Sequence, residues 1–158
     1  MKVSEILKVK GKTLYTLTPE DALSTAVLTM AENDIGSIVV MSNGKLAGML
    51  TFREVIRVLA KRQAENRSGP TPPVAEFRID EVMNPSPTVA SPDMDVDELR
   101  KLMVNSHERY LPVMEGPTLL GVVSFHDVAR AVLEMQSFEN KMLKAYIRDW
   151  PEEGDGSK

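Results

Sequence analysis

The sequence predicts an α+β fold made of two copies of one strand–helix–strand–strand–helix (βαββα) unit, packed through their sheets with pseudo-two-fold symmetry. Three observations predict it. Residues 17–59 match residues 90–132 at a constant offset of 73 without a gap, with identities that include Pro19/Pro92, Met30/Met103, Val40/Val113, Gly48/Gly121, Phe52/Phe125 and Arg57/Arg130. Inside each copy a helical-period apolar stretch precedes two short apolar runs joined by turn residues. Between the copies lies a Pro/Gly-rich segment, Glu65–Glu76, that reads as a linker. The expected divisions are a first repeat over 1–63, a linker over 64–76, a second repeat over 77–136, a C-terminal helix over 137–150 and a flexible tail over 151–158.

The elements follow in order. VSEIL (3–7) matches IDEVM (79–83) at offset 76, so the first copy carries three extra residues between Leu7 and Leu17. Thr18-Pro19 and Ser91-Pro92 read as an N-cap followed by a first-turn proline. Ala22, Ala26 and Met30, and Val96, Leu99, Leu102 and Met103, then recur at helical spacing. Strands are expected at Ser37–Met41 and Leu111–Met114, and again at Ala47–Leu50 and Leu120–Val123. Ser42-Asn43-Gly44 and Glu115-Gly116-Pro117 form the intervening turns. A helix begins at Thr51 and at Ser124. Near the C-terminus Phe138, Met142, Tyr146 and Trp150 fall four apart on one side of a helix. That stripe either packs on the protein's own body or serves a dimer contact.

Composition bounds the function. With 158 residues, 42% of them hydrophobic but only 5% aromatic, the core must be aliphatic, filled out by ten methionines. A net charge of -4 argues against binding a phosphate backbone, so nucleic acid is not an expected partner. The absence of cysteine excludes disulfides and thiolate metal sites. Neither a signal peptide nor a run of roughly 20 apolar residues is visible, so no membrane role is expected and a cytoplasmic location is read. The two histidines, His107 and His126, have no second His or Cys at ligand spacing, so no metal is expected. Asp93, Asp95, Asp97 and Glu98 suit a helix first turn and lack the glycine and terminal Glu of a calcium loop.

The chemistry concentrates in Gly48-Met49-Leu50-Thr51-Phe52-Arg53-Glu54 and Gly121-Val122-Val123-Ser124-Phe125-His126-Asp127. Each is a glycine, a strand, then a hydroxyl residue with an acid three further on. One reading is a capping box, in which hydroxyl and acid satisfy the first-turn N–H groups. The other is a ligand site. A helix N-terminus offers free N–H groups and a positive dipole end to phosphate, and a carboxylate can accept both hydroxyls of a ribose. Arg53 or His126 adds a donor between them. Recurrence of hydroxyl, basic residue and acid in both copies favours the ligand reading.

These segments make the repeats resemble CBS domains, and the pair a CBS pair, or Bateman module, over residues 3–62 and 79–135. The resemblance implies paired sheets, adenine nucleotides in two clefts between the copies, and a homodimer. The family's Gly-x-x-Thr/Ser-x-x-Asp segment matches Gly121, Ser124 and Asp127; in the first copy Gly48 and Thr51 match, and Glu54 replaces the Asp. The family's apolar–Pro–Val strand matches Tyr110, Leu111, Pro112 and Val113, with Gly36, Ser37 and Ile38 in the first copy's place. The resemblance implies an adenine pocket lined by Tyr110, Leu111, Pro112, Thr88, Val89, Gly36, Ser37 and Ile38, with Arg109 near phosphate; Arg109 paired with Glu108 on the surface is the alternative. The expected protein is thus a regulatory, non-enzymatic sensor of AMP, ADP, ATP or NAD that acts on a separate protein effector in signal transduction. A structural adaptor whose clefts hold no ligand is the competing class.

Overall fold

The computed structural model describes residues 1–11, 13–65 and 76–149. Most of the expected linker, the tail and Trp150 lie outside the described residues. The first copy comprises α1 (Val3–Lys10), β1 (Thr16–Leu17), α2 (Leu23–Asn33), β2 (Ser37–Ser42), β3 (Lys45–Thr51) and α3 (Phe52–Glu65). A 3-10 turn (Ile79–Glu81) opens the second, followed by α4 (Val96–Ser106), β4 (Tyr110–Glu115), β5 (Thr118–Ser124) and α5 (Phe125–Arg148). The α+β class and the two βαββα repeats are as expected. One sheet has the order β1-β2-β3, and the other pairs β4 with β5. The second copy's leading strand is reduced to one parallel bridge, Ala90 to Val113.

The symmetry extends to irregularities. Register shifts fall between Val40 and Met41 and between Val113 and Met114, 73 residues apart. The helices α2 and α4 both end on a left-handed residue, Asp34 and His107, again 73 apart. Asn43 and Gly44, both at positive φ, close the first hairpin in the two-residue turn that matches strand twist.

The cores do not follow the chain order of the copies. Val3 and Ile6 of α1 are buried with Ala90, Val96, Leu99, Met103, Leu111 and Val113 of the second copy, whereas Ile79 is buried with Leu23, Ala26, Met30, Ile38 and Leu50 of the first. Each leading segment has crossed to the other repeat. Backbone bonds repeat the exchange: Val3 N donates to Met94 O and Ser4 N to Pro92 O, while Ile79 N donates to Asp21 O and Asp80 N to Pro19 O. This also corrects the helix starts. The helices α2 and α4 begin at Leu23 and Val96, four residues after Pro19 and Pro92, which sit in turns. Leu23 N donates to Phe77 O and Val96 N to Met1 O. The first helical N–H of each is thus taken by the crossed segment, and neither helix has a side-chain cap.

The strands bury both faces. Ile38, Val40 and Leu50 turn toward the helices, and by the two-residue period Val39 and Met49 turn the other way, also buried. The copies meet where β2 and β4 begin. A Cβ on Gly36 would fall on the hydroxyl of Tyr110, so a larger residue there would displace that ring. The alternative of own-body packing for the C-terminal stripe is overturned: Phe138, Met142 and Tyr146 are 64%, 57% and 59% exposed. Helix α5 runs ten residues longer than α3 (24 against 14); Met142 and Tyr146 lie on the excess and Phe138 immediately before it.

The exchange makes a side chain of one repeat a core residue of the other. Ile79→Ala should therefore cost about 2–5 kcal/mol by urea denaturation, as a fully buried aliphatic truncation does. The exposed Val9→Ala should stay within about 0.5 kcal/mol.

Candidate functional site

Each repeat delivers a strand end directly into a helix start, next to the beginning of the neighbouring strand. Ser37 pairs with Thr51 across β2 and β3, and Tyr110 with Ser124 across β4 and β5. The first helical N–H is tied back to the loop before that strand: Phe52 N donates to Gly36 O at 3.3 Å and Phe125 N to Arg109 O at 2.8 Å.

Between the copies lies a cleft of about 610 Å³. The second copy lines it with Arg109, Tyr110, Val122, Ser124, Phe125, His126 and Asp127. The first copy contributes Lys10, Thr13, Leu14, Tyr15, Asn33, Asp34, Ile35, Gly36 and Ser37. Seven expected site residues thus come together: Gly36, Ser37, Arg109, Tyr110, Ser124, His126 and Asp127. Arg109 is exposed and makes no ion pair or side-chain hydrogen bond among the described residues; Glu108 pairs instead with Arg53, at 3.6 Å. His126 Nε2 lies 3.2 Å from the Arg130 guanidinium.

Asp127 is the most constrained of these groups. Its Oδ2 accepts from Ser124 N at 2.9 Å, and its own N–H donates to Ser124 Oγ at 3.1 Å, a complete capping box. The same Oδ2 lies 2.8 Å from Lys10 Nζ, which also donates to Val122 O at 2.7 Å. Burial pushes the carboxyl upward, but the Lys10 ammonium and the Ser124 N–H outweigh it and hold Asp127 below its ordinary 3.8.

The pseudo-symmetric junction in the first copy is arranged differently. Thr51 is nearly buried, and both its N–H and its hydroxyl donate to Glu54 Oε1 at 2.7 Å. The extra methylene lets Glu54 curl back onto its own cap. Arg53 donates to His107 O as well as pairing with Glu108, so its guanidinium bridges the two repeats. Arg53, Glu54 and Glu108 border a second cleft of about 460 Å³.

Not every expected residue reaches a cleft. Ile38 and Leu111 are fully buried in the two cores. Pro112 is buried, Thr88 is half-buried and Val89 exposed, and none of the three lines either cleft. Strand alternation explains the first pair: only the strand's first residue can turn into the cleft before its successor turns into the core. The sequence reading missed Lys10, Thr13, Leu14 and Tyr15. Their signal was the three-residue excess before Leu17, about one helical turn, which lengthens α1. Among the described residues no group of three or more acidic or His side chains could hold a metal ion, and no helix is long and apolar enough to cross a membrane.

A repeated βαββα unit with crossed leading segments and a cleft between the copies defines a tandem-domain architecture. The CBS domain model matches residues 3–61 and 79–134. The chain belongs to the CBS domain family and carries two such domains as a pair. It is 31% identical over 153 residues to the CBS domain-containing protein CBSX3, mitochondrial, of Arabidopsis thaliana, covering 92% of this chain and 71% of that protein. It is 31% identical to a solved CBS-domain protein from Burkholderia ambifaria, with a TM-score of 0.73 over 85% of this chain and 95% of the other. Two more distant pairs share the fold. CBSX2, solved with AMP, is 18% identical at a TM-score of 0.67 over 85% of this chain and 98% of the other. The CBS pair of MJ0100, solved with 5′-methylthioadenosine and S-adenosyl-L-methionine, is 22% identical at 0.69 with the same coverage.

The depressed Asp127 carboxyl ties stability to pH. Its contribution is present above the ordinary carboxylate value and is lost as pH falls through the lower folded value, because there the unfolded chain binds the proton first. Stability measured by urea denaturation should thus fall on acidification below about pH 4 less steeply in Asp127→Asn than in the unchanged protein.

Proposed function

We propose that this chain is a regulatory module that binds an adenine nucleotide in the larger cleft and signals its occupancy to a separate protein. The observation that carries this is the set of groups converging on one cleft from both repeats. They are the N-terminus of α5 at Ser124, a guanidinium at Arg109 without a partner among the described residues, and a carboxylate at Asp127. Phosphate fits the first two, since a helix N-terminus supplies N–H donors and Arg a charged fork. A ribose hydroxyl fits Asp127 through Oδ1, which accepts from none of the described residues. Adenine fits beside Gly36, Ser37 and Tyr110. AMP, ADP, ATP and NAD share this portion, and AMP occupies the distant relative CBSX2. A ligand gripped from both repeats restrains the angle between them, which is the signal a partner reads.

The reading assigns no reaction to the site. Hydrolysis or group transfer needs an activated nucleophile or a positioned metal. Ser124 Oγ accepts from Asp127 N rather than donating to a base. One observation favours the structural-adaptor reading for the second cleft: Arg53 is bonded across the interface to His107 O and Glu108, while Glu54 Oε1 accepts twice from Thr51. The adenine-nucleotide reading is therefore made for the larger cleft.

The module works as a homodimer in the cell interior. Phe52, Ile56 and Leu59 of α3, and Leu133, Phe138, Met142, Leu143 and Ile147 of α5, leave apolar faces exposed. Along α5, Glu134 and Glu139 precede Lys141 and Lys144. Two copies laid antiparallel set each acidic pair against the partner's basic pair, as an isologous interface requires.

Three measurements test this. Melting temperature should rise with AMP concentration in thermal-shift assays and stay flat with GMP. Asp127→Ala should weaken AMP binding by about 1–3 kcal/mol in calorimetry, and Glu54→Ala by less; unchanged affinity in Asp127→Ala would reduce the carboxylate to a cap. Light scattering should give twice the 17.5 kDa chain mass, and Met142→Glu should return the protein to monomer.

A further inference from the structure

We infer that Lys10 is a specificity-determining residue of the larger cleft: it makes the site demand an anionic group on its adenine ligand. The inference rests on the adenine-nucleotide reading above and decides between ligand classes that the fold accommodates elsewhere.

Lys10 lies in the stretch between Leu7 and Leu17 that holds the first copy's three-residue excess. In the second copy Asn84-Pro85 follows the corresponding segment, and only a 3-10 turn forms there. The extra turn carries Lys10 from α1 to β5 and the start of α5, to a residue 117 positions further along the chain (127 − 10). Its ammonium has two fixed acceptors, Asp127 Oδ2 at 2.8 Å and Val122 O at 2.7 Å. An ordinary surface ion pair holds two exposed chains loosely. Here the Asp127 side chain is 11% exposed and the backbone of α1 is anchored by Val3 and Ile6 in the core of the second repeat. The cation is therefore held in place before any ligand arrives.

An ammonium has three protons, and two are engaged. The third remains for a ligand in the cleft that Lys10 lines. Arg109 lines the same cleft with its guanidinium unpaired among the described residues. Facing these two cations are two carboxylates, Asp34 and Asp127, so the cleft is balanced with Lys10 and carries a net negative charge without it, counting His126 as neutral. A neutral adenosine needs neither cation. A phosphate gains a charge-assisted bond from a preplaced donor, at little entropic cost because Lys10 is already held. A sulfonium ligand such as S-adenosyl-L-methionine meets a like charge.

Calorimetry with AMP, adenosine and S-adenosyl-L-methionine on the unchanged protein, Lys10→Met, Lys10→Arg and Asp127→Ala separates the roles. The unchanged protein should prefer AMP to adenosine by about tenfold or more, the scale of one hydrogen bond to a charged group. Lys10→Met should erase most of that preference by weakening AMP while leaving adenosine unchanged. It should also bind S-adenosyl-L-methionine more tightly than the unchanged protein does. Lys10→Arg, which keeps the charge, should keep the preference for AMP. Asp127→Ala should weaken adenosine through the lost ribose contact and AMP by at least as much, because Lys10 also loses one of its two fixed acceptors. Circular dichroism and melting should show each variant folded, as expected for substitutions outside the two cores. Equal weakening of AMP and adenosine in Lys10→Met would overturn the inference and leave the adenine site standing. Failure of the unchanged protein to bind any of the three would overturn both.

Discussion

The reciprocal crossing of the leading segments is the constraint on which the rest of the structure depends. A single copy of the unit leaves the first N–H of its central helix without a partner and its core without the aliphatic side chains of a leading segment. Ile79 and Phe77 O supply these to the first repeat, and Val3 and Met1 O to the second. Neither repeat is complete alone, so the two fold as one unit although the chain is organised as two copies. A unit of this size buries too little surface to be stable by itself, and the exchange is how this chain overcomes the shortfall.

The clefts follow from the same crossing. It fixes the mutual orientation of the copies, and with it the approach of β2 to β4 at Gly36 and Tyr110. On either side of that contact a strand end runs into a helix start. The crossing also breaks the symmetry. Because α1 packs on the second repeat, the length of α1 sets what reaches the Ser124–Asp127 junction, and three extra residues bring a lysine there. At the other junction Glu54 folds onto Thr51, and Arg53 fastens the copies together through His107 O. Two sequence-equivalent sites thus hold different charge arrangements, one with Lys10 on the junction carboxylate and one with Arg53 bonded across the interface.

Much of this was legible in the sequence, and the limits are physical. The offset of 73 predicted both hairpins and both central helices, because alternation and helical period are local signals. It also predicted the Ser124–Asp127 pair, whose residue types and spacing are dictated by a helix start. The helix starts themselves were misplaced by four residues, since the groups that satisfy them lie in the other repeat and leave no local trace. Ile38 and Leu111 were expected in the pocket but point into the cores, because a strand that begins at a cleft rim turns its second residue inward. Lys10 was invisible as a site residue: its partner is distant in sequence, and only the length mismatch before Leu17 hinted that the two junctions would differ.

The central claim is that the cleft built jointly by the two repeats takes the adenine ligand. The direct test is titration of isotope-labelled protein with AMP while backbone amide resonances are followed by NMR. The account predicts saturable shifts that cluster at Gly36 and Ser37 from one repeat and at Tyr110, Phe125, His126 and Asp127 from the other, moving with a single affinity. Shifts confined to one repeat, shifts on the exposed face of α5, or no saturable change at all would contradict it.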